Sequence, residues 1–196
     1  MKRLFDILFS LMVLSLFFPF GILIALLILI SSQGGIFFRQ ERIGIHGKPF
    51  RLFKFRSMRR DSEKSGALTV GMKDSRITKI GVFIRKFKLD EFPQFINVLV
   101  GEMSVVGPRP EVKEFVDLYT EEQKKVLEVK PGITDYASIA YFNENEILAK
   151  SNNPRETYIK EVMPDKIKIN QKYLNNPTLS HDFYIIWKTI IRIFKK

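Results

Sequence analysis

Leu4 to Ile30 is almost wholly apolar, broken only by Asp6 and a few serines, and this run constrains the fold more than anything that follows it. It is too long for the apolar stretch of a signal peptide, and no small-residue cleavage pattern follows, so the segment is predicted to stay in the mature protein. A straight helix of that length reaches ~40 Å, against a hydrocarbon thickness of ~30 Å. Tilt can absorb the excess. Pro19, with Gly21 just beyond it, sits near the middle and can kink or break such a helix. Two arms of roughly 15 and 11 residues would each reach about half-way across a bilayer. Lys2 and Arg3 precede the run, while Arg39, Arg42, Lys48, Arg51, Lys54, Arg56, Arg59 and Arg60 follow it against only Glu41 and Asp61. Keeping both flanks cytoplasmic favours a re-entrant hairpin with its membrane break at Pro19. A single-pass anchor with a proline kink is the alternative.

The 196 residues suffice for one domain with a modest core plus this appendage. The predicted organisation is a membrane hairpin over residues 1–32 and one cytoplasmic domain over 33–196. Lys and Arg number 32 against 21 Asp and Glu, a formal charge of +11, which predicts polyanionic partners. No cysteine is present, so disulfides and cysteine metal sites are excluded. His46 and His181 lie far apart in sequence, which argues against a histidine triad or a zinc cluster. Acid–base chemistry must therefore rest on carboxylates, with Lys and Arg as electrostatic partners.

The soluble part reads as α+β and mostly helical. Residues 36–38 and 49–55 are predicted strands around a turn at 44–48, with Arg51, Lys54 and Arg56 set along one edge. Residues 60–72 read as a polar loop. Asp74 or Ser75 can cap a helix through about Phe87, with Ile77, Ile80, Ile84 and Phe87 on one face. Pro93 is best tolerated in a first helical turn, so a helix through residues 94–100 should start near Leu89–Glu91. That places the adjacent carboxylates Asp90 and Glu91 where free N–H groups and the helix dipole favour ionised acids and attract phosphate. An anionic nucleophile beside an anion site suits phosphoryl transfer; an acid pair that only complements the dipole is the plainer reading.

In the stretch Gly107-Pro108-Arg109-Pro110, two prolines bracket an arginine and hold the backbone extended. A guanidinium on so stiff a loop suits two-pronged phosphate recognition; a surface turn with a solvated arginine is the alternative. Residues 111–119 look helical, Thr120-Glu121-Glu122-Gln123 is a capping-box pattern, and Lys130-Pro131-Gly132 is predicted to end that helix. Residues 143–160 are polar and say little. The C-terminal run Phe183-Tyr184-Ile185-Ile186-Trp187, continuing through Phe194-Lys195-Lys196, fits an amphipathic helix lying in a membrane interface, or a terminal helix packed on the core.

Taken in order, these motifs resemble the bacterial sugar transferase family, the small monotopic phosphoglycosyl transferases that act as polyprenyl-phosphate sugar-1-phosphate transferases. The resemblance is carried by Lys2-Arg3-Leu4-Phe5-Asp6, residues 37–44, Gly47-Lys48-Pro49-Phe50, Lys54-Phe55-Arg56-Ser57-Met58, residues 89–94, Asn97-Val98-Leu99, residues 101–110 and Lys130-Pro131-Gly132-Ile133-Thr134. It covers the chain well from Lys2 to about Thr134 and loosely beyond. The chain looks like the small form, without an extra N-terminal multi-span region. Three motifs depart from the family's habit: Phe18-Pro19 replaces Ser-Pro, Asp135-Tyr136 replaces Gly-Trp, and Glu102 replaces aspartate.

The resemblance implies that Asp90 attacks the β-phosphate of a UDP-sugar, expels UMP and carries the sugar phosphate until polyprenyl phosphate takes it. It implies Mg²⁺, held partly by Asp90 and the diphosphate, because hard oxygen ligands suit that ion. Glu91 would assist the second step as base or metal-organising group. Arg109 would bind phosphate on the loop shaped by Gly107, Pro108 and Pro110, with Lys54, Arg56 and Arg85 as further cations. The location implied is the bacterial inner (cytoplasmic) membrane, with membrane lipid as a partner and the catalytic domain on the cytoplasmic face.

Two other functions are consistent with parts of the chain. A membrane-tethered basic binding module explains the charge and the apolar run, but not the rigid Gly-Pro-Arg-Pro loop or the acid pair. A membrane-associated phosphohydrolase would differ only in using water as acceptor. Nucleic acid is not an expected partner, because the basic residues lack aromatic interleaving. No motif reads the sugar or the glycan pathway, and the oligomeric state, a homodimer included, stays open.

Overall fold

A computed structural model describes residues 1–31, 34–60, 62, 68, 70–71, 74–174 and 177–195. Most of the loop expected over 60–72 lies outside the described residues. The expected α+β, mostly helical class holds: among the described residues the chain is mostly helical, with two small two-stranded sheets.

The apolar run forms one helix, α1 (Lys2–Ser31), with Pro19 inside it. The break expected at Pro19 is therefore not a break in the helix. Proline removes one backbone donor and crowds the preceding turn, and a long helix can absorb that locally rather than end. Asp6, the charge that interrupts the run, is buried, and its Oδ1 accepts from Ser104 Oγ and Val105 N, both at 3.0 Å. Arg3 donates to the carbonyls of Val98 and Leu99, at the end of α3 (Gln94–Val100), where a cation complements the dipole. Lys2 pairs with buried Asp182, which also accepts from Tyr173 Oη. Both basic residues that flank the run on its N-terminal side are thus engaged by the folded domain.

Farther along α1, Phe17 stacks on Phe92 at 3.5 Å between ring centres, and Ile24 and Ile28 pack with Phe55 and Ile84. Ile28 and Ile84 have no exposed surface, and each contributes roughly 1.5–3 kcal/mol of burial. Ser10 is fully buried and Phe9 packs near Phe95, whereas Leu16, Phe18 and Phe20 are exposed.

β1 (Phe37–Ile43) and β2 (Pro49–Phe55) form an antiparallel hairpin around the expected turn, in register Phe38↔Lys54 and Arg42↔Phe50. Strand parity corrects the expected cationic edge: Lys54 shares a side with buried Phe50 and Leu52, whereas Arg51 lies on the other. The next helix is shorter than predicted, α2 (Lys79–Lys86), capped by Thr78 Oγ1 on Gly81 N at 2.9 Å. Asp74 does not cap it because its carboxylate is occupied by the Arg76 guanidinium and backbone. Asn97 on α3 is fully buried and ties that helix to the hairpin, accepting from Phe53 N at 2.9 Å and donating to Arg51 O at 2.8 Å.

β3 (Ser104–Val106) pairs in parallel with β4 (Gly132–Thr134), a strand where the sequence suggested only a helix end. The crossing is tight: a Cβ on Gly132 would sit 2.1 Å from Gly107 N. Between them run two short helices, α4 (Lys113–Val116) and α5 (Glu121–Lys124), the latter with the expected capping box at Thr120 and Gln123. After β4 comes α6 (Tyr136–Ala140), and the polar stretch over 143–160 holds α7 (Glu144–Ala149) and α8 (Pro154–Thr157), with a wide turn leading into α9 (Met163–Leu174). The last helix, α10 (Leu179–Phe194), packs one face on the core, as the second of its two readings expected. Ile185 is fully buried in the core, whereas Phe183, Trp187 and Phe194 are exposed.

Candidate active site

Asp90 sits on a 3₁₀ turn (Leu89–Glu91) that feeds α3 through Phe92 and Pro93. Lys88 enters the turn in the left-handed region, φ 57°, and Glu91 N and Phe92 N bond back to Lys88 O and Leu89 O. Leu89 and Phe92, three apart, pack with the apolar cluster that includes Ile24 and Ile28 of α1, and Asp90 and Glu91 between them line the cleft. Asp90 is 5% exposed, and its Oδ1 is buried with no hydrogen-bond partner among the described residues. A buried acceptor left without a partner is costly unless a ligand or water completes it.

The Arg109 loop meets this turn across the cleft. Its backbone is fixed at several points: Gly107 N donates to Thr134 O at 3.1 Å, Gly132 N to Pro108 O at 2.9 Å, and Arg109 N to Asp135 Oδ2 at 2.8 Å. Arg42 reaches Pro110 O at 3.2 Å and Glu111 Oε2 at 3.4 Å, and Tyr158 Oη donates to Glu111 Oε1. The Arg109 guanidinium is not poised alone for phosphate. It takes Glu91 end-on, Nη1 to Oε2 at 3.0 Å and Nη2 to Oε1. Lys54 Nζ stands 3.6 Å from the same carboxylate.

Electrostatics separate the two acids. Burial and the neighbouring Glu91 charge raise the Asp90 carboxyl above its usual range, against the pull of Lys54, Arg85 and Lys88. Burial would also raise Glu91, but Arg109 and Lys54 overcome it and hold Glu91 well below the ordinary carboxylate range. Burial pushes the Lys54 ammonium down to about 8, with Glu91 opposing. The Glu91 charge holds the Arg109 guanidinium above its usual value. The pair thus consists of one firmly ionised acid, already partnered, and one acid whose charge is held less firmly and whose oxygen is free.

Lys54, Arg56, Arg85, Asp90, Glu91 and Arg109 all line one cleft of about 940 Å³. Arg56 is spent partly on structure, donating to Gly35 O at 3.1 Å and Phe37 O at 3.2 Å. Gly107, Pro108 and Pro110 carry the Arg109 loop but are not among the residues that line this cleft. The cleft also receives Lys88 and Arg42, which were not singled out from the sequence. Strand alternation could have found Arg42, since Phe38, Gln40 and Arg42 share one side of β1 and all three face the cleft. Away from the charges the cleft becomes apolar, between Phe9 and Val13 of α1 and Ile186, Ile190 and Ile193 of α10. Among the described residues no three His, Cys, Asp or Glu side chains cluster to hold a metal.

The model of the family described as bacterial sugar transferase matches residues 1–196. Over 194 residues, 96% of its length, the chain is 37% identical to the UDP-N-acetylgalactosamine-undecaprenyl-phosphate N-acetylgalactosaminephosphotransferase of Aeromonas hydrophila, of which it spans 42%. It is 35% identical over 202 residues to the UDP-glucose:undecaprenyl-phosphate glucose-1-phosphate transferase of Escherichia coli, 99% of this chain and 40% of that protein. It is 32% identical over 204 residues to the exopolysaccharide production protein ExoY of Rhizobium meliloti, covering 96% of this chain and 83% of that one.

Proposed function

The chain belongs to the bacterial sugar transferase family, and we propose that it moves a sugar-1-phosphate from a UDP-sugar to polyprenyl phosphate through a covalent aspartyl intermediate on Asp90. The observation that carries this reading is the buried, unpartnered Asp90 Oδ1 in a cleft lined by Lys54, Arg85, Lys88 and Arg109. In the first step an Asp90 oxygen forms a bond to the sugar-bearing phosphorus. The bond from that phosphorus to the bridging oxygen breaks, and UMP leaves with the electron pair. In the second step a phosphate oxygen of the lipid attacks the same phosphorus and the bond to Asp90 breaks. The product is a polyprenyl diphosphate sugar, and Asp90 is restored as a carboxylate. Phosphoryl transfer rests on positioning and charge stabilisation, which the surrounding cations supply.

Arg109 can serve a phosphate while it holds Glu91. End-on pairing uses one N–H from each terminal nitrogen and leaves the others, and Nε–H, for a ligand. Glu91 is committed to Arg109 and Lys54, so its role in this reading is to set those cations in place. Relatives named as using undecaprenyl phosphate support the lipid acceptor, and the apolar end of the cleft favours a lipid over water in the second step. Exposed Leu16 and Phe18 on α1, with Trp187 and Phe194 on α10, suit contact with lipid. Lys2 and Ile28, near the two ends of α1, both touch the same folded domain. That supports a helix that enters and leaves one face of the bilayer, here the cytoplasmic face, over one that carries its ends to opposite sides.

Mg²⁺ fits this site in the form it commonly takes with nucleotides, shared between one protein carboxylate and substrate phosphates. Asp90 is the residue that would hold it, having an acceptor without a protein partner. Bound there, the ion would neutralise diphosphate charge. The reading is tested by incubating the purified, lipid-held protein with Mg²⁺, undecaprenyl phosphate and a panel of UDP-sugars while measuring UMP. Release with one donor, lost in Asp90→Asn, is the expected result; UDP or free sugar phosphate as the product would overturn it.

A further inference from the structure

Asp135 and Asn170 lie outside the cleft, yet together they hold the backbone of Arg109. Asp135 is 2% exposed and Asn170 5% exposed. Asp135 Oδ2 accepts from Arg109 N and from Asn170 Nδ2, both at 2.8 Å, while its Oδ1 accepts from Ser138 N and so caps α6. The Asn170 Oδ1 in turn faces Ala137 N at 3.4 Å. One carboxylate therefore ties the Gly-Pro-Arg-Pro loop to α6 and α9. Arg109 stands between Pro108 and Pro110, so its N–H is the one backbone donor among these three residues. No neighbouring amide can substitute for it.

We infer that Asp135 is a positioning residue for the site: it anchors the Arg109 main chain so that the guanidinium meets Glu91 beside Asp90. The inference rests on the phosphoryl-transfer reading for what Arg109 does, but the tether itself can be measured without turnover. Asp135→Asn can keep its one oxygen toward Arg109 N and Asn170 Nδ2, so it need not cut the tether, whereas Asp135→Ala removes both acceptors. Arg109 N is then left without its carboxylate partner.

The test is a double-mutant cycle on UMP release with Asp135→Ala and Arg109→Ala. In the Arg109 background, Asp135→Ala is expected to lower kcat/KM for the UDP-sugar by about ten- to a hundredfold, the range for losing a charge-assisted bond. In the Arg109→Ala background the further loss should be under about threefold, because the group being positioned is gone. Equal losses in both backgrounds, or none in either, would overturn the proposal. Amide hydrogen exchange over residues 107–112 provides the turnover-free arm. Exchange there should accelerate at least about tenfold in Asp135→Ala, and unchanged protection would overturn the tether. Where Asp135→Ala fails to fold, Asp135→Ser, whose hydroxyl can still cap α6 but offers no second oxygen to Arg109 N, enters both measurements in its place. Wild-type protein that releases no UMP would sink the transferase reading, while the exchange result still decides whether Asp135 holds the loop.

Discussion

Glu91 and Arg109 join two segments that the chain keeps 18 positions apart, Arg109 Nη1 lying 3.0 Å from Glu91 Oε2 and Nη2 bonding Oε1. A rigid, proline-braced arginine could have faced the cleft alone. Instead it shares its cation between a protein carboxylate and the space where a phosphate would bind. The geometry keeps Glu91 ionised and leaves Asp90, one residue earlier, as the acid with a free oxygen.

Arg109→Ala should therefore cost about a hundred- to a thousandfold in kcat/KM for the UDP-sugar, comparable to removing one preorganised donor from a transition-state site. Arg109→Lys should recover only part of that loss, because an ammonium cannot span both Glu91 oxygens and still present a fork to phosphate. Steady-state UMP release decides the matter, and full activity in the lysine variant would rule out the two-pronged role.

Asp90→Asn should abolish turnover without weakening the fold. The amide is nearly the same shape but is not a competent nucleophile, while burial already disfavours the charge that it removes. The melting temperature is expected to stay level or rise. A large fall would mean that Asp90 is a structural ion and that its loss of activity says nothing about chemistry.

The pH dependence follows from the two shifted groups at the cleft. Asp90 must be deprotonated to attack, and its pKa is raised, so activity should climb with pH through a limb above the ordinary carboxylate range. Lys54 loses its proton near pH 8, so a requirement for its charge should make activity fall as pH rises past that point. The kcat/KM profile should be a bell whose alkaline limb disappears in Lys54→Arg. An alkaline limb that persists unchanged would assign it to another group.

Asp6→Ala should loosen the attachment of α1 to the domain, since Ser104 Oγ and Val105 N would lose their common acceptor in a buried setting. The expected cost is about 1–3 kcal/mol, read as a shift in the denaturation midpoint. Faster amide exchange around residues 104–106 should accompany it. Unaltered stability would show that apolar packing alone docks the helix.

Local rules account for what could be read directly from the residues. The length and apolarity of α1, the turn at 44–48, the Thr120 capping box and the turn bearing Asp90 all depend on neighbours within a few positions. Periodicity, caps and proline chemistry act at that range. The same range explains the misreadings. Asp74 is a good cap in isolation, but Arg76 is the better partner, and Lys130-Pro131-Gly132 resembles a stop, while pairing Gly132–Thr134 as β4 requires β3.

The sequence by itself determined several elements and the stock of charges: a long apolar helix, an acid pair opening α3, and an arginine between two prolines. Only the tertiary structure decided which of those charges meet. It put Arg109 on Glu91 rather than in open solvent, Asp6 under Ser104 and Val105, Lys2 on Asp182, and Asp135 on the backbone of Arg109. Each of these contacts joins positions distant in sequence, and burial together with the need to satisfy every buried donor and acceptor selects them. No local pattern encodes that selection, because it depends on which surfaces are already covered when the elements pack.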